Sequence, residues 1–432
     1  MELNSSVMDR SVEEIKHFQE QKLREVLHYV TQHSPYYKQL YQAQQVDISA
    51  IQTLEDLPLL PLVTKDDLQR NNDDFFCVDK GQIIDYATTS GTLGDPVTFG
   101  LTDSDLDRLA FNEATSFTIA GIQKGDIVQL MTTIDRRFMA GLAYFLGLRK
   151  LGAGVIRVGA GIPQLQWDSI LKYKPKYLIG VPSFLLKLID YAEKAGIDYK
   201  NSSVQGVICI GEALRTADLQ PSILANRILD KWPLALFSTY ASTEMGAAFT
   251  ECEYHQGGHV IPELILTEVV DQENKPVSPG ELGELVITTL GVQGIPLVRF
   301  KTGDMVRKHD DPCPCGRNTY RIGPVEGRKK HMIKYKGTTF YPPAIHDILN
   351  AFTSIQMHLV EVQTNDIGTD EIVIRLVSDD TSQEYMKQIK DAFRAKLRVT
   401  PQIVFEEIAI LQPIVFNALS RKPIAFIDKR VQ

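Results

Sequence analysis

The sequence predicts an α/β protein: a large N-terminal domain built on parallel strands and containing an antiparallel subdomain, followed by a small α+β domain. Three observations carry this. The chain has 432 residues, and roughly 100–200 residues per domain gives two to four domains. Between residues 104 and 237, short apolar runs alternate with segments of helical periodicity, the pattern of a parallel sheet covered on both faces. That pattern changes to strands joined by turns over 259–325 and shifts again at 327–342.

The elements follow in order. Residues 12–44 are helical, with Ile15, Phe18, Leu23, Val26 and Leu27 spaced along an otherwise charged segment. Ser34-Pro35 interrupts them, because the residue before proline disfavours the α region. After the proline-marked stretch 57–62, Thr64 caps a short helix with Asp66 and Asp67 in its first turn. Strands are expected at 127–131, 154–158, 177–179, 207–210 and 234–237, and helices at 104–119, 140–151, 163–172 and 183–195. Strands at 264–270 and 284–289, separated by Pro279-Gly280, form the antiparallel part. Residues 321–336 hold six basic residues against one acid, a local +5. Beyond them, 343–352, 358–364, 371–377, 382–397 and 403–408 read as helix, strand, strand, helix, strand. The domains are therefore expected at 1–327 and 328–432.

Composition narrows the function classes. Hydrophobic residues make up 44% and charged residues 23%, ordinary for a globular protein and outside the collagen-like, disulfide-scaffold and disordered classes. The formal net charge of −8 leaves no global positive field, so no nucleic-acid partner is expected. No apolar run approaches the roughly 20 residues that span a bilayer, and the N-terminus lacks the basic-then-apolar pattern of a secretory signal, so neither membrane nor export is expected. Five cysteines, an odd number, argue against a disulfide framework and for a reducing cytoplasm.

Three segments carry candidate chemistry. The first is Thr88-Thr89-Ser90-Gly91-Thr92-Leu93-Gly94-Asp95-Pro96, following an apolar segment. Glycines let backbone N–H groups approach a ligand, and hydroxyls donate to phosphate oxygens; the alternative is a plain hairpin turn. The second is Ser238-Thr239-Tyr240-Ala241-Ser242-Thr243-Glu244, after a strand. There an aromatic can stack on a base and a carboxylate can hold magnesium; the alternative is a helix start capped by Ser242 or Thr243. The third is Arg299-Phe300-Lys301-Thr302-Gly303-Asp304, whose aspartate either accepts from ribose hydroxyls or is a turn aspartate.

In this order the three resemble the adenylate-forming enzymes of the acyl-CoA synthetase superfamily. That family carries a Thr-Ser-Gly-Thr-Thr-Gly phosphate loop, a Tyr-Gly-x-Thr-Glu stretch, a Tyr-Arg-Thr-Gly-Asp stretch and a late lysine. Here these correspond to residues 89–94, 240–244, 300–304 and Lys422. The branch it resembles is that of phenylacetate–CoA ligases, through Glu251-Cys252 with Gly258-His259, Cys313-Pro314-Cys315-Gly316-Arg317, and the ending Lys422-Pro423-Ile424-Ala425-Phe426-Ile427-Asp428-Lys429-Arg430. The resemblance extends over essentially the whole chain.

What the resemblance implies is a two-step AMP-forming ligase using ATP, Mg²⁺, a small carboxylic acid of the aryl class and coenzyme A. Thr89, Ser90, Gly91, Thr92 and Gly94 would hold phosphates and Tyr240 would stack on adenine. Gly211 and Glu212 would lie near the adenine, and Ser242, Thr243 and Arg328 would complete the nucleotide contacts. Glu244 would bind Mg²⁺, Asp304 would grip the ribose, and Lys422 would act on the acyl phosphate. The small domain would be a mobile lid, hinged where Gly327-Arg328-Lys329-Lys330-His331-Met332 replaces the family's aspartates with Lys330 and His331. Relatives are commonly dimers, so a homodimer is expected. Residues 180–184 and 138–144 would line the acid site. Two other readings keep parts of this: acyl transfer to a carrier-protein thiol or an amine, and a non-catalytic zinc-knuckle binding module.

Cys252, His255, His259, Cys313 and Cys315 form two clusters about 60 residues apart. A tetrahedral Zn²⁺ would take three of these cysteines and one histidine and, having no open position, would be structural. His255 and His259 compete for the fourth place; the resemblance favours His259.

Overall fold

The structure, a computed structural model, describes residues 7–89, 97–335, 338–364, 370–417 and 423–430. The chain forms two compact units. One comprises Met1–Pro221, Ala225–Thr302 and Val306–Val325; the other comprises Ser222–Leu224, Gly303–Met305 and Glu326–Gln432. Among the described residues, no helix is long and apolar enough to cross a membrane.

Helix α1 (Val12–His33) opens on a capping box in which Ser11 Oγ accepts from the Glu14 N–H and the Glu14 carboxylate accepts from the Ser11 N–H. It stops at Ser34, and α2 (Pro35–Ala43) begins at once, because proline suits a first helical turn but not an interior one. Helix α3 (Lys65–Arg70) is capped by Thr64 through a box with Asp67.

Strands β1 (Asp85–Thr88) and β2 (Thr98–Leu101) pair as an antiparallel ladder. Then α4 (Asp103–Ile119), β3 (Ile127–Leu130), α5 (Met139–Leu151), β4 (Gly154–Arg157), α6 (Pro163–Tyr173), β5 (Tyr177–Gly180), α7 (Pro182–Ala195), β6 (Gly206–Ile210), α8 (Ile223–Lys231) and β7 (Ala235–Ser242) alternate. Strands β4, β3, β5, β6 and β7 pair in parallel in that spatial order. All five residues of β6 are buried, as expected for a strand covered on both faces.

Strand β7 is longer than the sequence suggests. It runs on to Ser242 and turns into the antiparallel strand β8 (Ala247–Glu251). Residues 238–242 are thus strand, and the capped-helix alternative for this segment falls. Next come β9 (Gly258–His259), β10 (Ile265–Val270), β11 (Leu282–Thr289), β12 (Phe300–His309), β13 (Arg321–Ile322) and β14 (Gly327–Arg328). The main sheet has the order β10-β11-β12-β13-β9-β8-β7-β6-β5-β3-β4, with β14 paired to β12. The antiparallel strands expected as a subdomain therefore continue the parallel sheet.

The second unit contains β15 (Ile333–Tyr335), β16 (Thr338–Phe340), α9 (Pro342–Asn350), β17 (Ile355–Thr364), β18 (Asp370–Ser378), α10 (Gln383–Leu397), β19 (Gln402–Phe405), α11 (Ile408–Val415) and β20 (Phe426–Asp428). Its four-stranded sheet has the order β19-β18-β17-β20. Ile345, Ile348, Val360, Val362, Ile374 and Phe393 form much of its core. The expected helix–strand–strand–helix–strand order is present. The strand expected over 403–408 ends at Phe405, and α11 and β20 are additions.

Candidate active site

Strands β3 to β7 run the same way, so the loops after them open on one edge of the sheet, where ligands of open α/β folds bind. Gly211 follows β6 with a φ of 78°, a backbone state that glycine adopts without strain. Glu212 comes next. Its Oε2 accepts from the Ser183 N–H at 2.8 Å and its Oε1 from the Ser183 hydroxyl at 2.8 Å. Ser183 stands in the first turn of α7, where a carboxylate also gains from the helix dipole. The pair locks the loops after β5 and β6 together.

Tyr240 lies on β7, half-buried, its ring edge-on to Phe249 with centroids 5.8 Å apart. Ser242 Oγ accepts from the Met245 N–H at 3.2 Å and closes the turn that contains Thr243 and Glu244. Glu244 Oε1 lies 3.3 Å from Lys65 Nζ. Lys65 is held there by its neighbours. The Val63 N–H donates to Arg299 O at 3.0 Å, and the Lys301 N–H donates to Val63 O at 2.8 Å. Arg299 itself is buried, pairs with Glu268 through two N–H···O bonds of 3.0 and 2.8 Å, and donates to Leu60 O. The first residue of the third motif is thus a brace.

Thr89 is buried at the neck of the first motif. Its N–H donates to Val97 O at 3.0 Å, and its hydroxyl accepts from the Val97 N–H at 3.2 Å. Ser90, Gly91, Thr92 and Gly94 lie outside the described residues, as does Lys422. In the second unit, Asp304 pairs across the β12–β14 ladder with Arg328, whose Nε donates to Asp304 Oδ1 at 3.2 Å. The glycine before Arg328 is obligatory: a Cβ on Gly327 would lie 2.2 Å from Tyr341 Cγ.

Cys252, His259, Cys313 and Cys315 come together, their ligand atoms all within 4.8 Å of one another. Cys252 Sγ and Cys313 Sγ are 3.6 Å apart, and Cys315 Sγ is 3.4 Å from His259 Nε2. A tetrahedral Zn²⁺ with bonds of about 2.3 Å to sulfur and about 2.0 Å to nitrogen needs edges of about 3.8 and 3.5 Å. The four residues fit that ion. His259 Nδ1 lies 3.0 Å from Thr319 Oγ1, a second contact that orients the ring. Burial pushes His259 down to about 3 and keeps it in the neutral, ligating form. Burial pushes the Cys252 thiol up to about 12. At Cys315 burial acts the same way, but the Arg317 backbone N–H and side chain outweigh it and hold the thiol below its usual range. His255 turns elsewhere: at a φ of 55°, its Nδ1 lies 3.4 Å from Glu251 Oε2.

Glu251, next to the cluster, is fully buried. Its carboxylate accepts from Arg215 Nε at 3.1 Å, from Arg215 Nη2 at 3.1 Å and from the Ser238 N–H at 2.9 Å. It thereby ties the metal-type cluster to the start of the Tyr240–Glu244 segment. Sequence reasoning missed three such supports, Lys65, Thr319 and the Arg215–Glu251 pair, and it placed Ser183 in the acid-site lining without its bonds to Glu212. Lys65 had a local signal, as the residue after a helix cap, but that signal said nothing of Glu244.

Fold and edge loops together define a nucleotide-handling α/β enzyme of the adenylate-forming class. The fold is that of a 2-hydroxyisobutyryl-CoA ligase solved in the postadenylation state with R3-HIB-AMP, at a TM-score of 0.83 and 23% identity over 98% of this chain and 91% of that one. Residues 31–293 match the family model for AMP-binding enzymes, and the chain belongs to that family. In sequence it is similar to the phenylacetate-coenzyme A ligase of Thermus thermophilus, 28% identical over 383 residues, 87% of this chain and 84% of the relative. The phenylacetate-coenzyme A ligase of Aromatoleum evansii is 28% identical over 345 residues, 78% of this chain and 76% of that relative.

Proposed function

We propose that this chain is an AMP-forming ligase that activates an aryl carboxylic acid, phenylacetate or similar, and passes the acyl group to coenzyme A. The observation that carries the reading is the Tyr240–Glu244 segment ending β7, with Glu244 braced by Lys65, on the same sheet edge as Gly211 and Glu212. Membership of the AMP-binding enzyme family and the similarity to phenylacetate-coenzyme A ligases support it.

In the first step a carboxylate oxygen of the acid attacks the α-phosphorus of ATP. The bond to the β-phosphate breaks and pyrophosphate leaves. In the second, the CoA sulfur attacks the acyl carbon, the bond to AMP breaks, and the thiol proton is lost. Pyrophosphate is a good leaving group and a carboxylate a poor nucleophile, so the protein contributes mainly position and charge. Tyr240 stacks on adenine beside Gly211 and Glu212. Thr89, Ser90, Gly91, Thr92 and Gly94 hold the phosphates, and Ser242, Thr243 and Arg328 add nucleotide contacts. Asp304 accepts from the ribose hydroxyls, and Lys422 donates to the acyl phosphate. Glu244 is the residue that would hold Mg²⁺, which supplies neutralisation of the triphosphate when bound. Cys252, His259, Cys313 and Cys315 would hold a structural Zn²⁺ and so pin the segment after Glu244 to the turn carrying Cys313 and Cys315.

The test is acid-dependent exchange of labelled pyrophosphate into ATP. Exchange in the presence of an aryl acid supports adenylation. Lys422→Ala should abolish it while ATP still binds. Exchange undiminished in that variant removes Lys422 from the mechanism, and no exchange with any acid refutes the ligase reading.

A further inference from the structure

The loop after β3 carries charge that the proposed reaction does not use. Residues 131–138 leave the carboxyl end of β3 and enter α5, and Arg136 and Arg137 are exposed within them. Both have left-handed backbone, with φ of 58° and 56°. Among the described residues they are the one adjacent pair of non-glycine residues in that state. L side chains avoid it, so neighbours must hold it in place.

Two anchors do so. The Thr88 N–H donates to Arg137 O at 3.1 Å. On the other side, the loop settles so closely on α5 that a Cβ at Gly141 would lie 2.0 Å from Thr133 O. Backbone strain that is over-determined in this way clusters at ligand sites. Neither guanidinium has a hydrogen-bond or ion-pair partner among the described residues. The one acid in the loop, Asp135, accepts from the Thr133 hydroxyl.

The location gives the charge a direction. Thr88 is the first residue of the hydroxyl–glycine segment. The carboxyl ends of β3, β5 and β6 lie on one edge, with Ser183 and Gly211-Glu212 following the latter two. Arg157 ends the neighbouring strand β4 in register with Leu130 of β3, its guanidinium 5.5 Å from the Phe145 ring centroid.

We infer that Arg136 and Arg137 form an anion-recognition pair on this edge, taking the phosphate or carboxylate oxygens of a bound ligand. Guanidinium forks match both groups through paired N–H···O bonds. Two sources carry such a group: the phosphates of ATP or CoA, or a second acidic group on the substrate acid. Naming those sources rests on the ligase reading; the anion pair itself does not.

The test is the Arg136→Gly/Arg137→Gly double variant of the full chain. Glycine accepts positive φ, so the change removes both charges and relaxes the backbone. Calorimetric affinities would be measured for ATP, CoA, phenylacetate and 4-carboxyphenylacetate, alongside AMP formation. Affinity for at least one anion should fall about tenfold or more, without a lower melting temperature. Arg136→Lys/Arg137→Lys should recover part of it, since lysine keeps the charge but not the fork. A loss confined to ATP or CoA identifies phosphate, and one confined to 4-carboxyphenylacetate identifies a second carboxylate. Unchanged affinities, no binding by the wild type, or an equal loss in Arg149→Gln, an exposed arginine near the far end of α5, overturn the inference. Wild-type protein that forms no AMP yet loses anion affinity in the double variant refutes the ligase reading alone.

Discussion

Glu113 on α4 shows how one buried group sets a pH dependence. Burial pushes its carboxyl up to about 8, and the hydrogen bond from Asn112 acts in the opposite direction without overcoming it. The folded protein therefore binds a proton that the unfolded chain has released once the pH passes the ordinary carboxylate value. Between about pH 4.5 and 8 the folded state holds more protons, so stability falls as pH rises through that window. Glu113→Gln keeps the shape and removes the titration. It should flatten the pH dependence of the denaturant midpoint and raise stability at pH 8 by on the order of a few kcal/mol. A variant that melts with the wild-type pH profile contradicts this. The thiols yield a second expectation. Cys313→Ser should lower bound zinc, read by elemental analysis, together with the melting temperature; full metal content with an unchanged melt removes the structural role.

These residues also mark what was legible in the sequence. The Cys-Pro-Cys spacing, with one earlier cysteine, points from residue types alone to the thiol and imidazole cluster that the structure brings together. Residue types leave His255 and His259 level and the resemblance favours His259; the structure sets the two apart, with His259 on β9 opposite Thr250 and Arg321 and beside the three cysteines, and His255 turned toward Glu251. Lys65 beside Glu244 spans 179 residues of chain, and no local pattern encodes such a contact.

At the scale of elements, the parallel strands and their helices are legible because each joins a run of apolar residues to a clear helical period. The end of β7 is not. Serine and threonine read as caps locally, and only the partner strand β8 keeps residues 238–242 extended. Strands of two residues such as β9 and β13 carry no period at all, and α11 contains Pro413, an ordinary helix breaker. The element-level support with the greatest expected weight is the Arg215–Glu251 pair, which joins the segment after β6 to β8 and, through the Ser238 N–H, to β7. Arg215→Ala leaves a buried carboxylate with its main partner gone, and should cost about 3 kcal/mol or more in denaturant unfolding. Lys231→Ala removes an exposed pair with Asp190 and Glu193 and should cost about 1 kcal/mol or less. Equal effects would show that the buried pair is not a principal tie.

For the whole molecule, the central claim is that one chain supplies adenylation and thioester formation from motifs spread between Thr89 and Lys422. The measurement that tests it most directly is AMP release from ATP and Mg²⁺ across a panel of aryl and short-chain acids, with and without CoA. AMP formation that requires an aryl acid and accelerates when CoA is added is the predicted result. AMP formation indifferent to CoA, or none with any acid on the panel while ATP still binds, would contradict it.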